Sequence, residues 1–355
     1  MLLSLAEPLA PKEADSNMRI ASIVLILAAS ISTAFAQEIK IVAYRTSPRL
    51  MADWASASSK VKLVNVNDDS LLATEIQDAD AVIGEVSPRI LEMGKKLRWM
   101  QIISAGAERV LHLSGSNYLR DSNIILTNNQ IVQGPEIADH AMAMLLALAR
   151  MLPLYIKDRT DENWRREPFR GIELNGKKAL VIGCGGIGQQ IAVRAWAHGM
   201  KVTCVDPEDI PYSPFIVKVV KPDMLDKELP DTDAVLISAP HTPKSHKMMG
   251  PKQFSLMKQN SYFVAVSRGG IYDLPALIKS LDERRLAGAG VDVTDPEPLP
   301  QGNALWKFDN VIVTPHIAGR SDQDAARMQG TVKENIRRFA EGLPLLNVVD
   351  KQKGY

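Results

Sequence analysis

Gly176-Lys-Lys-Ala-Leu-Val-Ile-Gly-Cys-Gly-Gly-Ile-Gly-Gln-Gln-Ile-Ala192 is the stretch that decides the fold. Its apolar run, 179–182, reads as a buried parallel strand. The run feeds Gly183-x-Gly185-x-x-Gly188, and a helical pattern starts at Ile187. Gly183 permits a tight turn, Gly185 lets a backbone approach a pyrophosphate, and Gly188 lets helix and strand pack closely. With Gly186 and Ile187 in the turn, the helix start offers N–H groups and a positive dipole end to phosphate. Three glycines alone are weak evidence, so the context decides. A second strand, 201–205, ends in Asp206, about 20 residues past the glycines, as the dinucleotide fingerprint requires. A carboxylate there accepts hydrogen bonds from ribose hydroxyls and repels a 2′-phosphate. Pro207, Glu208 and Asp209 follow with no arginine ready for that phosphate. The pattern predicts NAD, and NAD over NADP.

A length of 355 residues favours two domains. Lys and Arg number 42 against 41 Asp and Glu, for a net charge of +1. That near balance argues against a nucleic-acid binder, for which a basic stripe would be expected. The N-terminus carries Met18-Arg19, an apolar run over 20–29, and Ala34-Phe35-Ala36. Residues 1–36 read as a leader, with a signal peptide over 18–36 and Gln37 as the first mature residue. The run is too short for a comfortable membrane span, so none is expected after cleavage. This predicts a secreted or periplasmic protein; the alternative is a cytoplasmic protein with an N-terminal helix or extension. Two cysteines, Cys184 and Cys204, make no disulfide framework and no zinc spacing. They read as buried free thiols, with pairing to each other as the alternative. No metal site is expected.

From Glu38 onward strands and helices alternate. Strands are expected over 38–44, 61–66, 81–83, 99–103 and 124–126, with a helix over 87–95. The result is an α/β chain of two Rossmann-like or flavodoxin-like lobes with parallel sheets. Residues 37–134 form the first part of a substrate domain and 135–318 an inserted NAD-binding domain. Residues 319–355 carry a helix, 322–341, back to the first lobe. A long helix over 135–154 is apolar nearly all round and belongs between the lobes. On it, Met142 and Met144 read as packing and His140 as a satisfied interfacial histidine. Residues 158–170 read as a loop with Trp164 as its anchor.

Strands over 234–238, 261–265, 289–293 and 311–313 each end in polar residues, and ligands of open α/β sheets bind outside such ends. Those ends bring Pro240 and Thr242, then Val266, Ser267 and Arg268, then Asp292 and Glu297, then His316 and Gly319 towards one crevice. Hydride transfer to a keto carbon needs a proton donor, and a histidine such as His316 suits that work. A carboxylate at Glu297 would hold its tautomer. Arg268 would bind a substrate carboxylate bidentately and polarise the carbonyl. Asp292 would hydrogen-bond a nicotinamide carboxamide.

Gly183-x-Gly185-x-Ile187-Gly188, Ser267-Arg268-Gly269-Gly270, Gly290-Val-Asp-Val-x-x-x-Glu-Pro-Leu299 and Thr314-Pro-His-Ile-Ala-Gly319 together resemble the D-isomer-specific 2-hydroxyacid dehydrogenase family. So does Leu97-Arg-Trp-Met-Gln-Ile-Ile-Ser-Ala-Gly106. The resemblance runs over nearly all of 38–349. It implies a reduction of a small 2-keto acid to its D-2-hydroxy acid, or the reverse. Arg268 would bind the substrate carboxylate and carbonyl, His316 would be the acid and base, and Glu297 its partner. The backbone of Ala105 and Gly106 would hold the other side of the carboxylate. Gly183, Gly185, Gly186, Ile187, Gly188, Asp206, Pro240, Thr242, Val266, Ser267, Arg268, Asp292, His316 and Gly319 would line NAD. A homodimer with a closing cleft is also implied. The leader departs from the pattern, since the family is normally cytosolic. The alternative function is an NAD(H)-sensing binding protein on the same fold, similar to the family's corepressors.

Overall fold

The computed structural model describes residues 38–355. The leader expected over 1–36 lies outside the described residues. The first sheet joins β1 (Ile39–Tyr44), β2 (Val61–Val66), β3 (Ala81–Ile83), β4 (Trp99–Gln101) and β5 (Ile125–Thr127). All pairings are parallel, in the order β2-β1-β3-β4-β5. Ile41, Val42, Ala43, Ala81, Val82 and Ile83 are fully buried, so both faces of the central strands are covered. Continuous burial of this kind is what parallel strands require. The helix expected over 87–95 shrinks to Pro88–Leu91, because turns follow it.

The second sheet holds β6 (Lys178–Ile182), β7 (Lys201–Val205), β8 (Lys218–Val220), β9 (Ala234–Ile237), β10 (Ser261–Ala265), β11 (Leu286–Val291) and β12 (Val311–Val313). Its order is β12-β11-β10-β9-β6-β7-β8. The chain winds one way from β6 to β8 and the other way from β9 to β12. The switch between β6 and β9 opens a crevice at their carboxyl ends. Gly183 stands there at φ +89°, and a Cβ on it would overlap the Ala239 backbone. A Cβ on Gly188 would overlap the Gly183 carbonyl oxygen. A Cβ on Gly185 would meet nothing within 4 Å, so its open side faces free space.

The Gly134–Ala149 helix packs on the Gly186–Ala197 helix and on β10 and β11. It does not continue to residue 154 as the sequence pattern suggested. It ends at Ala149, Met151 turns to φ +58°, and a new helix, Leu152–Thr160, leaves at 72°. Pro153 explains the break, since it has no N–H to give and its ring clashes with the carbonyl four residues back. Residues 158–160 therefore finish a helix rather than open a loop. Trp164 is not an anchor either, being 86% exposed. Among the described residues no single helix is long and apolar enough to cross a membrane.

The Asp324–Glu341 helix lies on the first lobe. Its Val332 and Ile336 share a core with Ile41, Trp54, Ile83 and Trp99. Asn335, fully buried, donates to Gln101 Oε1 at 2.9 Å and to the Leu346 carbonyl at 3.1 Å, and accepts from the Leu346 N–H at 2.7 Å. An antiparallel bridge ties Thr127 to Val348. The first lobe is thus assembled from both ends of the described chain, and the second lobe is an insertion in it. Arg327 crosses between them, bonding Glu136 at 2.6 Å and the Val132 carbonyl at 3.0 Å.

Candidate active site

The residues past β6 and β7 fit a dinucleotide. The Gly186–Ala197 helix starts at the loop, and its first-turn N–H groups have no partner within the helix. Gly185 leaves the space in front of them clear. Ile131, at φ +74°, lies against Gly186 from the segment joining the lobes. Asp206 is buried at the end of β7. One oxygen accepts from the Cys184 N–H at 2.6 Å and the other from the Glu208 N–H at 2.8 Å. A carboxylate has about four acceptor positions, so about two remain for a ribose diol. Cys184 and Cys204 are buried free thiols in contact beneath this loop. Their hydrogen bond and burial push the Cys204 thiol well above the ordinary range.

The ends of β9 and β10 continue the same wall. Pro240 and Thr242 sit in a turn closed by Ser245, whose hydroxyl donates to the Pro240 carbonyl at 2.6 Å and accepts from the Thr242 N–H at 2.8 Å. Val266 N–H bonds the Ile237 carbonyl at 3.2 Å. The Ser267 hydroxyl is buried with no partner among the described residues, one polar atom in this wall left for a ligand. The Gly319 carbonyl accepts from Gln133 Nε2 at 2.7 Å, which fixes the far lip.

Asp292, at the end of β11, organises the loop after β12. Its carboxylate accepts from Thr314 Oγ1 at 2.6 Å, Ile317 N–H at 2.9 Å and Ala318 N–H at 2.9 Å. Three of about four acceptor positions are thereby filled, leaving one for a carboxamide. His140 bonds Thr314 Oγ1 at 2.9 Å and so backs this cluster from the Gly134–Ala149 helix. The pinned loop holds His316 at φ +53°, with its N–H on the Asp292 carbonyl at 2.8 Å. A bulky residue in the left-handed region persists only where its surroundings impose it. His316 Nδ1 meets Glu297 Oε2 at 2.9 Å, and Glu297 Oε1 accepts from the Thr294 N–H at 3.0 Å. The imidazole is therefore oriented by one nitrogen, and Nε2 has no hydrogen-bond partner among the described residues.

Arg268 meets the first lobe. Its Nε donates to Glu108 Oε1 at 2.6 Å and its Nη1 to the Ser267 carbonyl at 2.7 Å. Nη2 and Glu108 Oε2 both crowd the space where Gly106 would carry a Cβ, so a larger residue there would push these two side-chain ends aside. The loop itself is pinned by two buried asparagines. Asn128 Nδ2 donates to the Ala105 carbonyl and Asn129 Nδ2 to the Ile103 carbonyl, each at 2.7 Å. Burial pushes the Glu108 carboxyl up, but the charge and hydrogen bond of Arg268 outweigh it and hold the group below its ordinary value. His241 packs beside Gly270 and bonds His246 at 3.0 Å. Burial and the neighbouring His246 hold His241 below the usual imidazole range, against Glu108 and Asp295.

The structure thus brings Arg268, Glu297, His316, Ala105 and Gly106 to the mouth of the crevice whose floor is the glycine loop. Sequence reasoning missed Glu108, Asn128, Asn129 and His241. The adjacent Asn128 and Asn129 at the end of β5 were the one available signal, because two buried amides in sequence must each satisfy a backbone group.

Residues 142–318 match the family described as D-isomer specific 2-hydroxyacid dehydrogenase, NAD binding domain. The chain is 31% identical to the glyoxylate reductase of Korarchaeum cryptofilum, over 85% of this chain and 89% of that one. It is 33% identical to the D-3-phosphoglycerate dehydrogenase of Methanocaldococcus jannaschii over 79% of this chain, and spans about half (53%) of that longer relative. Among solved structures, a D-isomer specific 2-hydroxyacid dehydrogenase family protein from Aeromonas salmonicida superposes with a TM-score of 0.74 at 26% identity. That match covers 89% of this chain and 99% of the other.

Proposed function

Because this chain belongs to the D-isomer specific 2-hydroxyacid dehydrogenase family, we propose that it interconverts a small 2-keto acid and the D-2-hydroxy acid, with NAD(H) as the preferred cofactor. One observation carries the reading: an imidazole oriented by Glu297 at 2.9 Å, on the same crevice mouth as an arginine abutting Gly106. The reduced nicotinamide supplies the hydride when bound. His316 gives its proton to the oxygen of the keto group through Nε2 and takes it back in the oxidation direction. Glu297 fixes which nitrogen faces the substrate and balances the imidazolium that forms. Arg268 holds the substrate carboxylate and draws charge from the carbonyl. The backbone at Ala105 and Gly106, held by Asn128 and Asn129, takes the carboxylate's other side. Gly183, Gly185 and Gly188 shape the pyrophosphate turn, and Asp206 accepts the adenosine ribose.

The test is loss of reduced-nicotinamide absorbance with the full chain against glyoxylate, hydroxypyruvate, pyruvate, phenylpyruvate and branched-chain 2-keto acids. Turnover with a member of the panel supports the reading. Tight NADH binding with no turnover on any of them moves the protein to the NAD(H)-sensing alternative.

Asp206 sets the cofactor preference in this proposal. In Asp206→Asn the ratio of kcat/KM with NADH to that with NADPH falls by roughly tenfold, since one charge facing the 2′-phosphate is removed. Asparagine keeps one acceptor for the Glu208 N–H and loses the bond from the Cys184 N–H, so the NADH kcat/KM is read beside the ratio. An unaltered ratio would take the ribose contact away from Asp206.

A homodimer belongs to the same reading. Leu152, Ile156 and Trp164 stand exposed past the helix break, and a partner copy would cover them. Light scattering from the full chain is expected to give twice the chain mass; a monomer at micromolar concentration counts against it.

A further inference from the structure

The three carboxylates after β7 are not alike. Asp206 is buried and bonded to backbone N–H groups. Asp209 is paired with Lys221 at 2.6 Å, and the same ammonium donates to the Pro207 carbonyl at 2.9 Å. Glu208 is reached from the other lobe. Lys353 Nζ lies 2.9 Å from Glu208 Oε1, and the Tyr355 hydroxyl donates to that same oxygen at 2.9 Å. The sequence left this end with no arginine ready for a phosphate. Folding brings a cation from across the cleft.

The segment that delivers it is firmly built. Lys351 Nζ donates to the carbonyls of Leu119, Ser122 and Ile124 at 3.0, 2.5 and 2.9 Å. Asp350 Oδ1 accepts from the N–H groups of Gln352 and Lys353, each at 3.0 Å. The Tyr355 carbonyl accepts from the Asp350 N–H at 3.0 Å, and Gly354 turns at φ +90° against His112. The ammonium of Lys353 is therefore placed by the first lobe, not by chance on a flexible tail. Burial pushes the Tyr355 phenol up, with Glu208 and then Asp206 adding to it, which places the tyrosine within electrostatic reach of the ribose-accepting carboxylate.

We propose that Lys353 is a cofactor-selecting residue, an ammonium supplied by the substrate lobe that neutralises Glu208 beside the adenosine ribose and lets a 2′-phosphate be accommodated there. Asp206 keeps NADH the tighter ligand, and Lys353 admits NADPH as a second one. This inference rests on the dinucleotide reading of the site. An exposed ion pair contributes little to stability, so substitutions at Lys353 leave the fold intact.

The test is equilibrium binding without substrate, read from tryptophan fluorescence of the full chain titrated separately with NADH and NADPH. The wild type binds both, NADH more tightly. In Lys353→Ala the NADPH Kd rises by roughly tenfold while the NADH Kd moves by less than about twofold. Lys353→Glu widens the gap further. Tyr355→Phe removes the second bond to Glu208 and leaves the lysine, so its NADPH to NADH ratio stays at the wild-type value. An unchanged ratio in both Lys353 variants overturns the proposal, as does a wild type that binds NADH and not NADPH. A Tyr355→Phe ratio shifted as far as that of Lys353→Ala also overturns it, because the tyrosine would then be the selecting group. A wild type that binds neither dinucleotide removes the dehydrogenase reading along with it.

Discussion

His316→Asn lowers turnover of the best 2-keto acid by about three orders of magnitude while NADH still binds with wild-type affinity. The size follows from the role. A positioned acid contributes about two to four orders of magnitude. Asparagine is the better probe than alanine because the residue sits at φ +53°, where asparagine is at ease and alanine is strained. The loop does not depend on the imidazole for its shape. Asp292 holds it through Thr314, Ile317 and Ala318, and the His316 N–H bond to the Asp292 carbonyl survives the substitution. Lost turnover therefore reports lost chemistry and not a collapsed loop. Stopped-flow single-turnover rates together with a fluorescence titration of NADH separate the two effects. Wild-type turnover in this variant would remove His316 from the proton path, and a parallel loss of NADH affinity would show that the side chain serves the cofactor instead. Glu297→Gln has a smaller effect than loss of the imidazole, since the amide oxygen still accepts from Nδ1, while the charge and the acceptor for the Thr294 N–H are lost.

The sequence spoke clearly where one local rule acts alone. Gly183 and Gly188 each answer a separate steric demand within a few residues, and the structure meets both at that turn, while the Cβ side of Gly185 is open. Parallel strands buried on both faces left apolar runs that needed no partner to be recognised. The break at Met151 was legible in Pro153, but the apolar pattern of 135–154 outweighed one proline in the reading. Trp164 was misjudged because aromaticity says nothing about what covers a side chain. Glu108 could not be read at all. Its meaning comes from Arg268, 160 residues away, and only the closure of two lobes puts their charges 2.6 Å apart. Lys353 and Glu208 pose the same problem, since an acidic run looks repulsive until the fold shows which of its charges are already paired.

Arg268→Ala tests that hidden partnership and has the other large effect. In the proposed role, where one group binds the substrate carboxylate and stabilises the developing alkoxide, the kcat/KM for a 2-keto acid falls by roughly three orders of magnitude, through both terms. A second consequence has nothing to do with substrate. The Glu108 side chain is only 12% exposed, and its Oε1 is held by Arg268 Nε. Removing the guanidinium strands a carboxylate in a place that was tolerable only as a pair, at a cost of about 2 kcal/mol in stability. The sign of the pH dependence follows. In the wild type the Glu108 carboxyl is held below its unfolded value, so the pair stabilises the fold above the unfolded carboxylate range and the contribution is lost as pH falls through the folded pKa. Without Arg268 burial is unopposed, the folded carboxyl moves above its unfolded value, and the penalty is greatest when the group is ionised in the unfolded chain. The stability gap between wild type and Arg268→Ala is therefore widest near neutrality and narrows in acid. Glu108→Gln added to Arg268→Ala recovers most of the lost stability but none of the lost kcat/KM. Urea midpoints of the four proteins at two pH values decide the matter, read beside their kinetics. A double variant no more stable than Arg268→Ala would show that the Glu108 charge is solvated by something else. Full activity in Arg268→Ala would put the substrate carboxylate elsewhere in the cleft.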